Sequence, residues 1–181
     1  MANFYPELTD DFKQFISEQH MFFIASAPIE GRVNLSPKGI DTFRCFDNKT
    51  VGYLDLTGSG NETAAHLHEN GRITIMFCSF TKKPLILRLY GQGRMIQPRH
   101  PDWNLFYQEF EPVSGNRQIM VMEIESLQTS CGYGVPMFEF QQQRDTLIKW
   151  AAKKGDSGLN EFQLEHNQQS IDGLQTRLLS D

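Results

Sequence analysis

The sequence predicts a small antiparallel β-barrel with peripheral helices, and three observations carry that expectation. Six or so short stretches suited to strands follow one another with turn residues between them. The alternating βα units of a parallel, doubly wound sheet are missing. Helical patterns gather at the two ends, with one short helix inserted near the middle. At 181 residues the chain is long enough to bury a real core within one domain.

Thr9 caps a first helix reaching His20, with Asp10 and Asp11 in its first turn and Phe12, Phe15 and Ile16 on one face. Met21 to Ala27 is a continuous apolar strand, and Pro28-Ile29-Glu30-Gly31 turns it into a second, Arg32 to Ser36. Side chains alternate along that strand, so Val33 and Leu35 point one way and Arg32, Asn34 and Ser36 the other, with Lys38 just beyond. The polar face is either a solvated sheet face or one wall of an anion site. Strands Thr42 to Phe46 and Val51 to Leu56 meet at the turn Asp47-Asn48-Lys49.

The stretch from Tyr53 to Phe77 organises the rest: strand, glycine-rich break, short helix, strand. Thr57-Gly58-Ser59-Gly60 interrupts the apolar run, and the helix that follows is capped either by Ser59, paired with Glu62 in a capping box, or by Asn61. A helix N-terminus offers unpaired N–H groups and partial positive charge, and Thr57, Ser59, Asn61 and Thr63 add hydrogen-bonding side chains within one turn. This is an anion site or a turn with redundant caps. Neither GxxxxGK[ST] nor GxGxxG occurs. Asn70-Gly71 ends the helix and Arg72 to Phe77 resumes a strand.

Leu85 to Arg94 is the next strand, and Arg88 among its apolar neighbours needs either a structural ion pair or a ligand anion. Trp103, Phe106, Tyr107 and Phe110 share a face of a helix within Pro98 to Phe110, as core or as subunit interface. Gln118 to Ser126 is the last strand. Beyond the glycine turn at 128–136, one helix is expected over Phe138 to Lys154, stopped by Gly155, and another from Asn160, with a loose tail after Ile171.

Bulk properties narrow the function classes. Seventeen basic and twenty-two acidic residues give a net charge of −5 with no block of like charge, which disfavours nucleic acid as a partner. Cys45, Cys78 and Cys131 are odd in number and widely spaced, fitting a reducing cytoplasm better than a disulfide framework. The opening MANFYPELTDDF lacks a leader pattern, and no stretch approaches a membrane span. His66 and His68 diverge on their helix, so no metal site is expected. Cys131 is a small turn residue or a thiol beside the site.

The motifs RVNLSPKG, YLDLTGSGNETAAHLHENGRITIMF, LRLYGQGR and QTSCGYGVP, in this order, resemble the pyridoxamine 5′-phosphate oxidase-like group of FMN-binding split β-barrel proteins, particularly its uncharacterised bacterial branch. The likeness spans about Met21 to Pro136. It implies a six-stranded split barrel over residues 1–136, to which the C-terminal helices of 137–181 are added, and a homodimer with FMN at the subunit interface. By the resemblance, Arg32, Val33, Asn34 and Leu35 lie along the flavin, with Ser36 next on the polar strand face, and Leu56, Thr57, Glu62 and Thr63 receive its phosphate. Ser59 and Asn61 join them, with Arg32, Lys38 or Arg88 supplying charge. Members of the group often have Arg-Lys where this chain has Glu62-Thr63, and the tail lacks the Arg-Leu-His-Asp-Arg-type segment with which vitamin-B6 oxidases hold their substrate. The implied function is an FMN-dependent oxidoreductase on an unidentified small substrate. The alternative is a non-catalytic flavin or haem carrier, for which His20, His66, His100 and His166 are the candidate axial ligands.

Overall fold

The structure is a computed structural model and describes residues 2–179. Its strands are β1 (Asn3–Tyr5), β2 (Phe22–Ser26), β3 (Asn34–Lys38), β4 (Phe43–Cys45), β5 (Thr50–Leu56), β6 (Arg72–Cys78), β7 (Ile86–Ile96) and β8 (Asn116–Ser130). The helices are α1 (Asp10–Ser17), α2 (Glu62–Glu69), α3 (Trp103–Tyr107) and α4 (Thr146–His166). All strand pairs are antiparallel, in the order β3-β2-β6-β7-β8-β5-β4 with β1 added to β8. The count is eight where six or so were expected; β4 answers to the expected strand Thr42 to Phe46, and β1 is the addition that the sequence pattern did not show.

Period-2 alternation builds the core. Across the sheet the register aligns Ser36, Ile24, Ile75, Leu89, Leu127 and Tyr5 on the inner face. Ile24, Leu89 and Leu127 are wholly buried, each worth about 1.5–3 kcal/mol relative to exposure. The sheet coils until β2 meets β4 and β5, which are not its neighbours. The Phe22 ring lies 5.1 Å from Phe43 and 5.6 Å from Tyr53 across the interior. That coiling leaves β3 and β4 as free edges of a split barrel, and α2 packs against β2, β6 and β7.

A second apolar cluster forms outside the barrel. There Leu54, Leu56, Ile119 and Val121 meet Phe106, Phe110 and Trp103, so the aromatic face of 98–110 serves as core. The helix is shorter than expected, five residues. Pro37 is tolerated because β3 is an edge strand and its missing N–H costs no ladder bond. β3 starts two residues later than expected, because Asp172 claims both the Arg32 backbone N–H and its guanidinium.

The C-terminal expectations need two corrections. Residues 137–145 are not helical; they form an extended strap held by tertiary contacts that outweigh propensity. Phe138 donates its N–H to Phe80 O at 3.0 Å, Phe140 stacks on His20, and Gln143 bridges His20 O and Ile40 N–H. α4 then runs as two helical pieces broken at Gly155 (φ 63°, ψ 175°). The tail after Ile171 is not loose either: Thr176 is wholly buried, its hydroxyl donating to Asn167 O at 2.6 Å.

The long β7–β8 pairing shifts register between Tyr90 and Gly91. A Cβ on Gly91 would lie 1.9 Å from Glu123 O, so the bulge admits only glycine. Gly91→Ala should cost roughly 3 kcal/mol or more in urea denaturation. Gly134→Ala, where an added Cβ meets nothing within 4 Å, should change stability by less than about 0.5 kcal/mol.

Candidate functional site

Where β3 separates from β5, a cleft of about 340 Å³ opens between the β3 edge, the end of β5 and the first turn of α2. Asn34, Ser36 and Lys38 form one wall, being the inward side chains of β3. Leu56, Ser59, Asn61, Glu62 and Thr63 form the other. The structure thus brings together eight of the residues singled out in the sequence. Asn34 Nδ2 donates to Thr63 Oγ1 at 3.2 Å, joining the walls.

The remaining five stand elsewhere. Arg32 is mostly exposed and paired with Asp172. Val33, just before β3, and Leu35 within it are exposed and do not line the cleft. Thr57 is wholly buried behind the loop, its hydroxyl accepting from Gln163 Nε2 at 2.8 Å. Arg88 lies on the outer sheet face and donates to the Ser130 hydroxyl at 3.2 Å, outside the cleft.

The charge of the site comes from Lys38, singled out in the sequence, and from Asp55 and Arg117, which were not. Asp55 is 2% exposed and receives Arg117 Nε at 2.7 Å, Gln118 Nε2 at 2.9 Å and Lys38 Nζ at 3.1 Å. Burial pushes its carboxyl pKa up, but the Arg117 and Lys38 charges and the hydrogen bonds from Arg117 and Gln118 outweigh it, holding the group well below the usual carboxylate range. Two cations share one carboxylate. Glu62 also lines the cleft, so its two cations and two carboxylates balance, and Lys38 is the cation partly open to solvent.

Arg117 also fixes the loop over which an anion would sit. Its Nη2 donates to Gly60 O at 2.9 Å and its Nη1 to Asn167 Oδ1 at 2.8 Å, while Asn167 Nδ2 donates to Gly58 O at 3.0 Å. Neither expected cap forms. Asn61 Oδ1 is taken by Gln118 Nε2, and Glu62 accepts the Ile171 N–H at 3.0 Å, so no side chain caps α2. Its first turn lines the cleft with backbone donors available to a ligand. Glu62 is the one feature adverse to an anion, and its link to Ile171 ties it to the tail.

Among the histidines, His66 is buried, its Nδ1 2.9 Å from the Ser26 hydroxyl. Burial pushes its pKa down against the nearby charges of Glu62, Glu69 and Asp172. His20 stacks on Phe140, and His166 packs against Phe162. Among the described residues no group of three His, Cys, Asp or Glu side chains stands close enough to hold a metal ion. Cys131 is exposed and does not line the cleft.

Asp55→Asn should destabilise the protein by about 3–5 kcal/mol, because it leaves buried Arg117 without a counter-charge. The Asp55 pKa is depressed in the fold, so its contribution is complete above the unfolded value. The gap between wild type and variant in urea denaturation should therefore be largest near neutrality and shrink as pH falls below about 3.9.

Comparison with known proteins bears on the whole arrangement. A sequence profile described as pyridoxamine 5′-phosphate oxidase matches residues 8–131. The family protein ustO of Aspergillus flavus is 36% identical over 192 aligned positions, covering 96% of this chain and 77% of that protein. Among solved structures, a Lactobacillus delbrueckii protein described as a pyridoxamine 5′-phosphate oxidase superposes with a TM-score of 0.55 at 14% identity, covering 68% of this chain and 94% of that one. HupZ of Group A Streptococcus superposes with a TM-score of 0.53 at 21% identity, covering 66% and 91%. The structures share the fold, the fungal relative shows that likeness extends beyond bacteria, and the chain belongs to the pyridoxamine 5′-phosphate oxidase family.

Proposed function

We propose that this protein is an FMN-dependent oxidoreductase acting on a small organic substrate. The observation that carries the reading is the cleft floor, where Lys38 and Arg117 share Asp55 beneath the uncapped first turn of α2. The partly open Lys38 ammonium and the backbone donors of a turn without a side-chain cap suit a phosphate monoester. Lys38 and the α2 turn would hold the phosphate, and Asn34 and Ser36 would line the remainder of the cofactor. Bound FMN would supply two-electron transfer, so the protein's task is to bind, orient and exclude water, with no side-chain nucleophile required.

The reading extends to assembly and location. Val33, just before the edge strand that walls the cleft, and Leu35 within it are 74% and 65% exposed. Apolar exposure on an edge strand fits burial against a second copy, which would place the cofactor at a homodimer interface. Three free cysteines fit a reducing cytoplasm, and among the described residues no helix is long and apolar enough to cross a membrane. Glu62 favours one alternative, a flavin carrier that exchanges FMN readily, because a carboxylate at a helix N-terminus weakens phosphate affinity.

Purified protein titrated with FMN should quench flavin fluorescence with one-to-one saturation, and Lys38→Met should weaken binding roughly ten- to a hundredfold through loss of a charged hydrogen bond. Absence of FMN binding by the unmodified protein would reject the flavin reading. Reduction of bound flavin by NADH or NADPH, followed by turnover with an organic acceptor, separates the enzyme from the carrier. Light scattering should give a dimer mass, and Leu35→Glu should shift it towards the monomer.

A further inference from the structure

A second and larger cavity, about 820 Å³, lies beside the cleft between the 137–145 strap, the start of α4 and the end of β3. It is not a separate feature of the surface, because Pro37 and Lys38 line both hollows. Met21, Ile40, Phe140, Leu147 and Trp150 give it an apolar and aromatic lining, of a size usual for small-molecule sites. Its shape is fixed by tertiary contacts: Gln143 pins the strap through His20 O at 2.8 Å and Ile40 N–H at 3.2 Å, and the Phe140 and His20 rings stack at 3.6 Å.

The charges around it are one-sided. Among the described residues no Asp or Glu lines the cavity. Lys38 is engaged by Asp55, and Asp145, next to Arg144 in the chain, is held by Lys149. Arg144 has no hydrogen-bond or ion-pair partner among the described residues. A planar guanidinium at the rim of an apolar cavity suits a carboxylate, which it can grip with two parallel hydrogen bonds.

We propose that this cavity binds an organic acid with an aromatic or aliphatic body, its carboxylate on Arg144 and its body against Phe140 and Trp150. As the assignment of a substrate class it rests on the FMN reading, since the shared wall at Pro37 and Lys38 sets such a ligand beside the cofactor cleft. As a binding site it stands on the cavity alone. The acid is therefore selected by residues of the C-terminal extension, and the cofactor by residues of the barrel.

The test is calorimetric titration of the full chain with 3-phenylpropionate and with its neutral amide, each with and without FMN. The acid should bind at least tenfold more tightly than the amide in both conditions. Arg144→Gln, a substitution at an exposed position, should bring the acid down to the affinity of the amide while FMN binding stays unchanged. Trp150→Ala should weaken both ligands. Equal binding of acid and amide, an acid preference that survives Arg144→Gln, or no heat from either ligand would overturn the proposal. A separate titration with FMN reports on the cofactor reading, so failure of that reading is distinguishable from failure of this one.

Discussion

The site depends on one buried ion pair. Asp55 near the end of β5 and Arg117 near the start of β8 are both almost inaccessible, and the guanidinium spends three nitrogens on three different elements: Asp55, Gly60 O in the loop before α2, and Asn167 at the end of α4. Burying a charge is costly unless it is paired and hydrogen-bonded, and here the pairing defines the surrounding geometry. Lys38 approaches the other Asp55 oxygen from β3, so the same carboxylate anchors the free edge of the barrel. Such a pair is weak evidence for net stability, but removing one member strands the other. It fixes where the loop, the edge strand and the C-terminal helix must sit.

From that pair follows the electrostatic character of the cleft. Glu62 lines the cleft together with Asp55, so the cations Lys38 and Arg117 are matched in number by carboxylates, and of the two cations it is Lys38 that is open to solvent. The Glu62 carboxylate accepts the Ile171 N–H, and Asp172 nearby takes Arg32. The tail therefore holds the adverse carboxylate through a neutral donor and withdraws one favourable cation. Both contacts depend on a segment that lies beyond the region matched by the family profile.

The C-terminal extension joins the barrel as part of the site. Gln163 and Asn167 of its second helical piece and cap hold Thr57 and Gly58 from behind, while the strap before α4 walls the larger cavity. Lys38 and Pro37, shared by the two hollows, mark where the barrel and the extension meet. Under the proposed function this is a division of labour: the barrel would hold the phosphate, and the added segment shapes what lies next to it.

Much of this was legible in the residues. Period-2 alternation fixed which side chains of β6 and β7 enter the core, since the pleat leaves each strand two faces and only one is apolar, whereas β2 reads as a continuous apolar run and the fold decided which of its faces is buried. The glycine-rich break at 57–60 and the polar face of β3 pointed to Asn34, Ser36, Lys38, Ser59, Asn61 and Thr63 of the cleft, because turn chemistry and alternation are local properties, while Leu56 and Glu62 came with the family resemblance. The pairing of Asp55, Arg117 and Lys38 was not legible: these residues are 17 and 62 positions apart, and burial of a charge is decided by what surrounds it. The same holds for Arg32, drawn away by Asp172 across 140 positions, and for Arg88, which faces the outer sheet surface. The extended strap at 137–145 and the ordered tail also came from tertiary contacts, with His20, Ile40, Phe80 and Glu62, that no local pattern reports. The sequence by itself determined the strands, the turn and the polar edge, since those rest on neighbouring residues. Only the tertiary structure decided where the charges end, because that depends on which distant side chains are buried together.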